Sequence, residues 1–189
     1  MIEEIERGFG ESLPIRLVMG GLRPGTREPM TETAKAEMRS HWDHVHEASG
    51  QPFDYAFFER EGFVYDTEPS ARAVVVLRRE GAAAGLAALR SIQAAFYAEN
   101  RDVAQGEQLA VIAGELGHDV DAFTAAFDGA AAREETRADF ALTQQTGVRG
   151  FPTLIANDGC HEQYLLVTHG FQSAERIIPP LRDWRERLA

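Results

Sequence analysis

The segment Gly147-Val148-Arg149-Gly150-Phe151-Pro152-Thr153 holds the residues whose types and order could do chemistry. A proline directly ahead of a β-rich run suggests a cis Phe151-Pro152 bond, because the cis form turns a chain tightly into a sheet and is accessible only before proline. A cis bond here leaves the N–H and C=O of Phe151 unpaired and facing outward. Such groups can hold an extended peptide or glutathione as an added strand, which makes Gly150, Phe151 and Pro152 the candidate substrate-binding residues. The ordinary alternative is a trans proline that marks a strand start.

Other residues with chemical capacity have plainer accounts. His41, His44 and His46 cluster with Asp43 and Glu47, but on a helix His46 points away from the face that His41 and His44 share. That is not the i, i+4 spacing of a helical zinc site, and a solvated face explains it, so no metal site is assigned. His118, His161 and His169 read as surface residues. Gly20-Gly21-Leu22-Arg23-Pro24-Gly25 with Arg27 could aim amides at an anion. The segment lacks the form of a phosphate-binding loop, and a simple exit loop suits it better. Asp66 with Glu68, and Glu59 with Glu61, fit surface charge or helix capping. Cys160 is the one cysteine, so no intrachain disulfide and no multi-thiolate zinc site is available.

The elements that position these residues follow from periodicity. Ile2, Ile5 and Phe9 fall at helical spacing, ended by Gly8 and Gly10, and Ile15 to Met19 reads as a short strand. Thr31 can cap a helix with Ala34, Met38, Trp42 and Val45 on one stripe and an exit at Gly50. Further helices are expected from Pro69 to Gly81, through Leu86 to Phe96, through Leu109 to Gly117, from Asp119 or Asp121 through Phe127, and from about Arg133 to Thr146. Thr153 to Ile155 and Tyr164 to Val167 form a hairpin across Asn157-Asp158-Gly159. Ser173 opens a last helix that Pro179-Pro180 should kink or restart, with Leu181, Trp184 and Leu188 on its apolar face.

Length and composition bound the whole. The chain has 189 residues, 44% hydrophobic and 26% charged, which suits one soluble globular domain or a domain with a large insertion. No apolar run reaches the ~18 residues of a membrane span. A net charge of −11 repels nucleic acid and anionic lipid, so neither is an expected partner. Acidic residues stand at the N-terminus where a signal peptide carries positive ones, so a cytoplasmic location is expected.

Taken in order, several segments resemble the DsbA-like branch of the thioredoxin superfamily, in the neighbourhood of FrnE and 2-hydroxychromene-2-carboxylate isomerase. They are Ile15 to Met19 with Gly20-Gly21-Leu22-Arg23-Pro24-Gly25, Phe63-Val64-Tyr65-Asp66-Thr67-Glu68-Pro69, Phe96-Tyr97-Ala98-Glu99-Asn100-Arg101-Asp102-Val103, and Gly147 to Thr153. The resemblance spans essentially the whole chain. It implies an α/β, thioredoxin-like fold of three layers, α/β/α, with a large all-helical insertion. Residues 1–27 and 133–189 would form the thioredoxin-like domain and residues 28–132 the insertion.

The resemblance also implies what this chain lacks. In the family a first strand leads to a Cys-x-x-Cys pair at a helix N-terminus, which lowers the attacking thiol's pKa. Here the strand, loop and both cysteines would lie before Met1, and Cys160 cannot replace them, so no catalytic residue is assigned. The missing strand would lie between the strands at Ile15 and Thr153, leaving backbone groups facing a gap at roughly 1–3 kcal/mol for each one buried and unpaired. Either the natural polypeptide extends upstream, or another chain or a rearrangement fills the slot, for example a homo-oligomer through the exposed sheet gap. The resemblance thus implies a thiol-disulfide oxidoreductase type whose present chain is redox-inactive. The alternatives are a glutathione-dependent isomerase or transferase-like protein, and a non-catalytic thioredoxin-like module binding extended peptides or glutathione; the partner implied throughout is a thiol or disulfide peptide or glutathione. No cofactor is assigned, with glutathione the candidate.

Overall fold

A computed structural model of the chain describes residues 2–159 and 165–187. It divides into two compact units, residues 1–18 with 141–189 and residues 19–140.

The second unit is all helical: α2 (Glu32–Ser49), α3 (Glu68–Leu77), α4 (Ala82–Tyr97), α5 (Gly106–Glu115), α6 (Val120–Asp128) and most of α7 (Ala130–Gln145), following α1 (Ile2–Phe9) of the other unit. The caps follow the sequence closely. Thr31 accepts a hydrogen bond from the Ala34 N–H at 3.2 Å, Gly50 closes α2 with φ 69°, and Asp119 accepts from the Ala122 N–H at 2.8 Å. Seven consecutive residues of α3, Ala71 to Leu77, are buried, so this helix is covered on all sides, packing against α4, α5 and α6, and its one charge in the run, Arg72, is paired with Glu68 at 2.9 Å. A second centre is aromatic. Trp42, 4% exposed, has six aromatic neighbours with ring centroids at 4.7–6.1 Å, drawn from Phe53, Tyr55, Phe57 and Phe58 around a 3-10 turn and from Phe96 and Tyr97 at the end of α4.

The first unit is built on α1, α8 (Ala174–Glu186) and a two-stranded antiparallel sheet, β1 (Thr153–Ala156) with β2 (Leu165–His169). Thr153 lies opposite His169 and Ala156 opposite Leu165, with an irregularity at Leu154/Ile155. Ile5, Phe9, Ala156, Ile177 and Leu181 form its core, and Leu13, Ile15, Leu154, Val167 and Trp184 pack against it. The Asn157-Asp158-Gly159 turn is held by the Gly159 N–H donating to Asn157 Oδ1 at 2.7 Å. Cys160, His161, Tyr164 and Leu188 lie outside the described residues.

Three sequence expectations change. Residues 14–20 are not a strand. Extended backbone becomes a strand only when a neighbour completes its ladder, and among the described residues β1 and β2 pair only with each other. The expected pair of strand edges facing a gap therefore lacks its Ile15 side. Leu13 and Ile15 are held instead by the apolar core, and the Met19 N–H donates to Asp139 Oδ2 at 2.8 Å. Next, Gly8 does not end α1, which runs to Phe9 because Ile5 and Phe9 both enter the core. Lastly, α8 continues through Pro179 and Pro180. Both prolines are exposed, so the carbonyls deprived of an N–H can turn to water, while Ile177 and Leu181 anchor the helix on either side.

Candidate functional site

The end of α7 fixes where the 147–153 segment begins. Gly147 adopts φ 71°, its N–H donates to Gln144 O at 3.0 Å, and the Val148 N–H donates to Thr143 O at 3.1 Å. Those two bonds form a Schellman cap, which requires a left-handed residue that glycine supplies without a Cβ penalty. The chain leaves the helix in a set direction and reaches β1 six residues later.

Between the cap and β1 each anchor is local. Thr153 Oγ1 donates to Gly150 O at 2.7 Å, and the Gly170 N–H donates to Pro152 O at 2.8 Å, so the loop is tied to its own strand and to the residue after β2. The Phe151-Pro152 peptide is cis. Among the described residues, neither the N–H nor the C=O of Phe151 has a hydrogen-bond partner, and its side chain is 47% exposed. Gly150 lies against the ring of His169, which closes β2. The arrangement therefore offers one free donor and one free acceptor on a single residue, flanked by anchored neighbours, with an exposed aromatic ring and an imidazole beside them. Chemically it can hold another chain's backbone, since a paired donor and acceptor on one residue is the unit of strand addition.

The remaining candidates are engaged elsewhere. In the Gly20 to Gly25 loop, the Arg23 N–H donates to Thr67 Oγ1 at 2.9 Å and the Gly25 N–H to Asp66 Oδ1 at 2.8 Å, so these amides meet the chain's own oxygens. Asp66 also accepts from the Glu68 N–H at 2.9 Å, which is capping chemistry. His46 Nδ1 donates to Gln51 O at 2.7 Å, and Asp43 accepts from the Tyr55 hydroxyl at 2.7 Å. That bond to Asp43 raises the Tyr55 pKa, because it favours the protonated phenol. No group of three or more His, Cys, Asp or Glu residues able to hold a metal occurs among the described residues. A cleft of about 720 Å³ in the helical unit is lined by Asp102, Gln105, Glu107, Gln108, Phe127 and Asp128 among others. Its Asp102 already accepts from the Ala104 N–H and from Gln105.

Sequence reasoning missed two features. One is Asp139, 2% exposed, which accepts from both terminal nitrogens of Arg78 as well as from Met19. A lone aspartate in the middle of α7 was the only signal available for it. The other is the contact of His169 with Gly150, which the register of β1 on β2 creates and no local pattern announces.

Among the described residues no helix is long and apolar enough to cross a membrane. A family model described as a DSBA-like thioredoxin domain matches residues 28–177. The structure is similar to that of a Nitrosomonas europaea protein described provisionally as a protein disulfide isomerase, with 32% identity and a TM-score of 0.89 over 100% of this chain and 89% of that one. It is also similar to the cytosolic disulfide reductase DsbM of Pseudomonas aeruginosa, at 28% identity and a TM-score of 0.65 over 92% of this chain and 81% of that one. A further DsbM structure, solved with glutathione, gives 26% identity and a TM-score of 0.64 over the same shares, 92% and 81%. No curated protein matches. With a thioredoxin-like fold, a helical block inside it and a family match over most of its length, the chain belongs to the DSBA-like thioredoxin domain family.

Proposed function

We propose that this protein is a thiol-disulfide type member of its family that holds a cysteine-containing peptide or glutathione on the Gly150-Phe151-Pro152 loop. The observation that carries the reading is the backbone of Phe151, with both polar groups free of partners among the described residues and the side chain half exposed. A bound peptide would add as a strand on these two groups, and its cysteine would lie beside Pro152. Two-thiol exchange needs an attacking and a resolving cysteine, whereas the sequence holds Cys160 alone. The 189-residue chain therefore binds without turning over. An insulin-reduction assay with this polypeptide should give no rate above the dithiothreitol background, and turnover would contradict that part of the reading. The binding part is tested by titrating glutathione while following the amides of Gly150 and Phe151. Saturable shifts at these two residues are expected, and their absence would overturn it.

A second reading, favoured by the glutathione bound to the DsbM neighbour, is a glutathione-dependent isomerase or transferase-like protein. There glutathione itself supplies the thiolate, and no protein cysteine is needed. A cytoplasmic setting belongs to both readings, supported by the cytosolic assignment of DsbM.

A further inference from the structure

Gly150 is glycine for a reason of space rather than of backbone conformation. Its φ is not among the positive values, so an ordinary residue could adopt the same conformation. A Cβ at this position would instead lie 3.1 Å from Nε2 and 3.3 Å from Cε1 of His169. The missing side chain is what lets the imidazole lie against the loop, one residue before the free backbone groups of Phe151. His169 is exposed, and among the described residues its ring has no hydrogen-bond or ion-pair partner. Arg149, also exposed, adds positive charge on the same loop, and the rings of Phe151 and Phe171, 47% and 64% exposed, supply apolar surface before β1 and after β2.

We infer that His169 is a specificity-determining residue: it donates a hydrogen bond to a carboxylate carried next to the cysteine of a bound thiol peptide, so the site prefers acidic thiol peptides to neutral ones. The inference rests on the reading of the 150–152 loop as the peptide-holding segment. The total charge makes the preference informative. At −11 the protein repels an anionic peptide at long range, so an acidic peptide binds better than its neutral ester only if a local donor outweighs that field. Glutathione belongs to the favoured class, with carboxylates on both sides of its cysteine.

The test uses S-methylglutathione and its diethyl ester, neither of which can exchange with Cys160, titrated into the full chain with the Gly150 and Phe151 amides as reporters. For an exposed charge-assisted contact the acid should bind about twofold to fivefold more tightly than the ester. His169→Gln, which keeps an N–H donor, should retain a preference for the acid, and His169→Glu should reverse it. If the Glu variant fails to fold, His169→Ala must bring the two affinities together. Equal affinities in the wild type, or an unchanged ratio in His169→Glu or His169→Ala, would overturn the inference and leave the loop reading intact. If neither ligand moves Gly150 or Phe151 in the wild type, the loop reading fails and the inference fails with it.

Discussion

Asp139→Asn probes the joint that holds the start of the helical unit. The Asp139 side chain is 2% exposed, accepts from both terminal nitrogens of Arg78, one at 3.1 Å, and accepts the Met19 N–H at 2.8 Å. Breaking a buried ion pair from one side costs about 3–5 kcal/mol, because the other charge keeps its desolvation penalty. Asparagine retains an oxygen for Met19, and Arg78 keeps 19% of its side chain in solvent, so the lower end, about 3 kcal/mol, is expected. For a chain of this size that corresponds to a fall in Tm of about 6–12 °C. Asp139→Ala removes the acceptor as well and should cost about 1–3 kcal/mol more. Urea unfolding followed by Trp42 fluorescence in a Trp184→Phe background reads the helical unit alone, since Trp42 belongs to its aromatic centre and Trp184 to the other unit. Arg78→Met with Asp139→Leu should lose much less than the sum of the single substitutions, because no charge is left buried. A cost below about 1 kcal/mol for Asp139→Asn, or strict additivity in the double variant, would refute the reasoning.

Two other expectations concern the same unit. Gly21 has φ +67°, and a Cβ there would lie 2.7 Å from the Phe140 ring, so Gly21→Ala should cost about 2–4 kcal/mol from strain and overpacking together. Adding Phe140→Leu should return the overpacking part but not the conformational part in the same urea assay. Tyr65 and Tyr97 both have raised pKa values, chiefly because burial disfavours the phenolate. Above about pH 10 the unfolded chain loses those protons and the folded one keeps them, so stability should be level from pH 7 to 9 and fall beyond pH 10. Tyr65→Phe should flatten that fall, and an unchanged urea midpoint between pH 9 and 11 in the wild type would contradict it.

Local chemistry in the sequence reached most of the helical unit. Thr31, Gly50 and Asp119 mark helix ends through capping groups that act within a few residues, as Gly147 does at the end of α7, and the apolar run Ala73 to Leu77 of α3 reports burial on all sides. What stayed hidden depends on partners distant in sequence. Ile15 to Met19 has the alternation of a strand, but a ladder needs a neighbour and the described sheet supplies none. Asp139 acquires its role from Arg78, 61 positions away, and from Met19, 120 positions away. At the site the same division holds. Phe151 and Pro152 stand out by residue type and order, whereas His169 is the surface residue its sequence suggests and its contact with Gly150 arises only from the register of β2 on β1.

The central claim is that the backbone of Phe151 pairs with a bound thiol peptide. Intermolecular nuclear Overhauser effects between a saturating cysteine-containing peptide and the protein test it most directly. Contacts from the peptide's cysteine Hα to the Phe151 amide, with strand-like contacts to Pro152, are the expected result. A peptide whose contacts instead fall in the cleft lined by Gln105, Gly106 and Phe127, or a peptide that shows none, would contradict it.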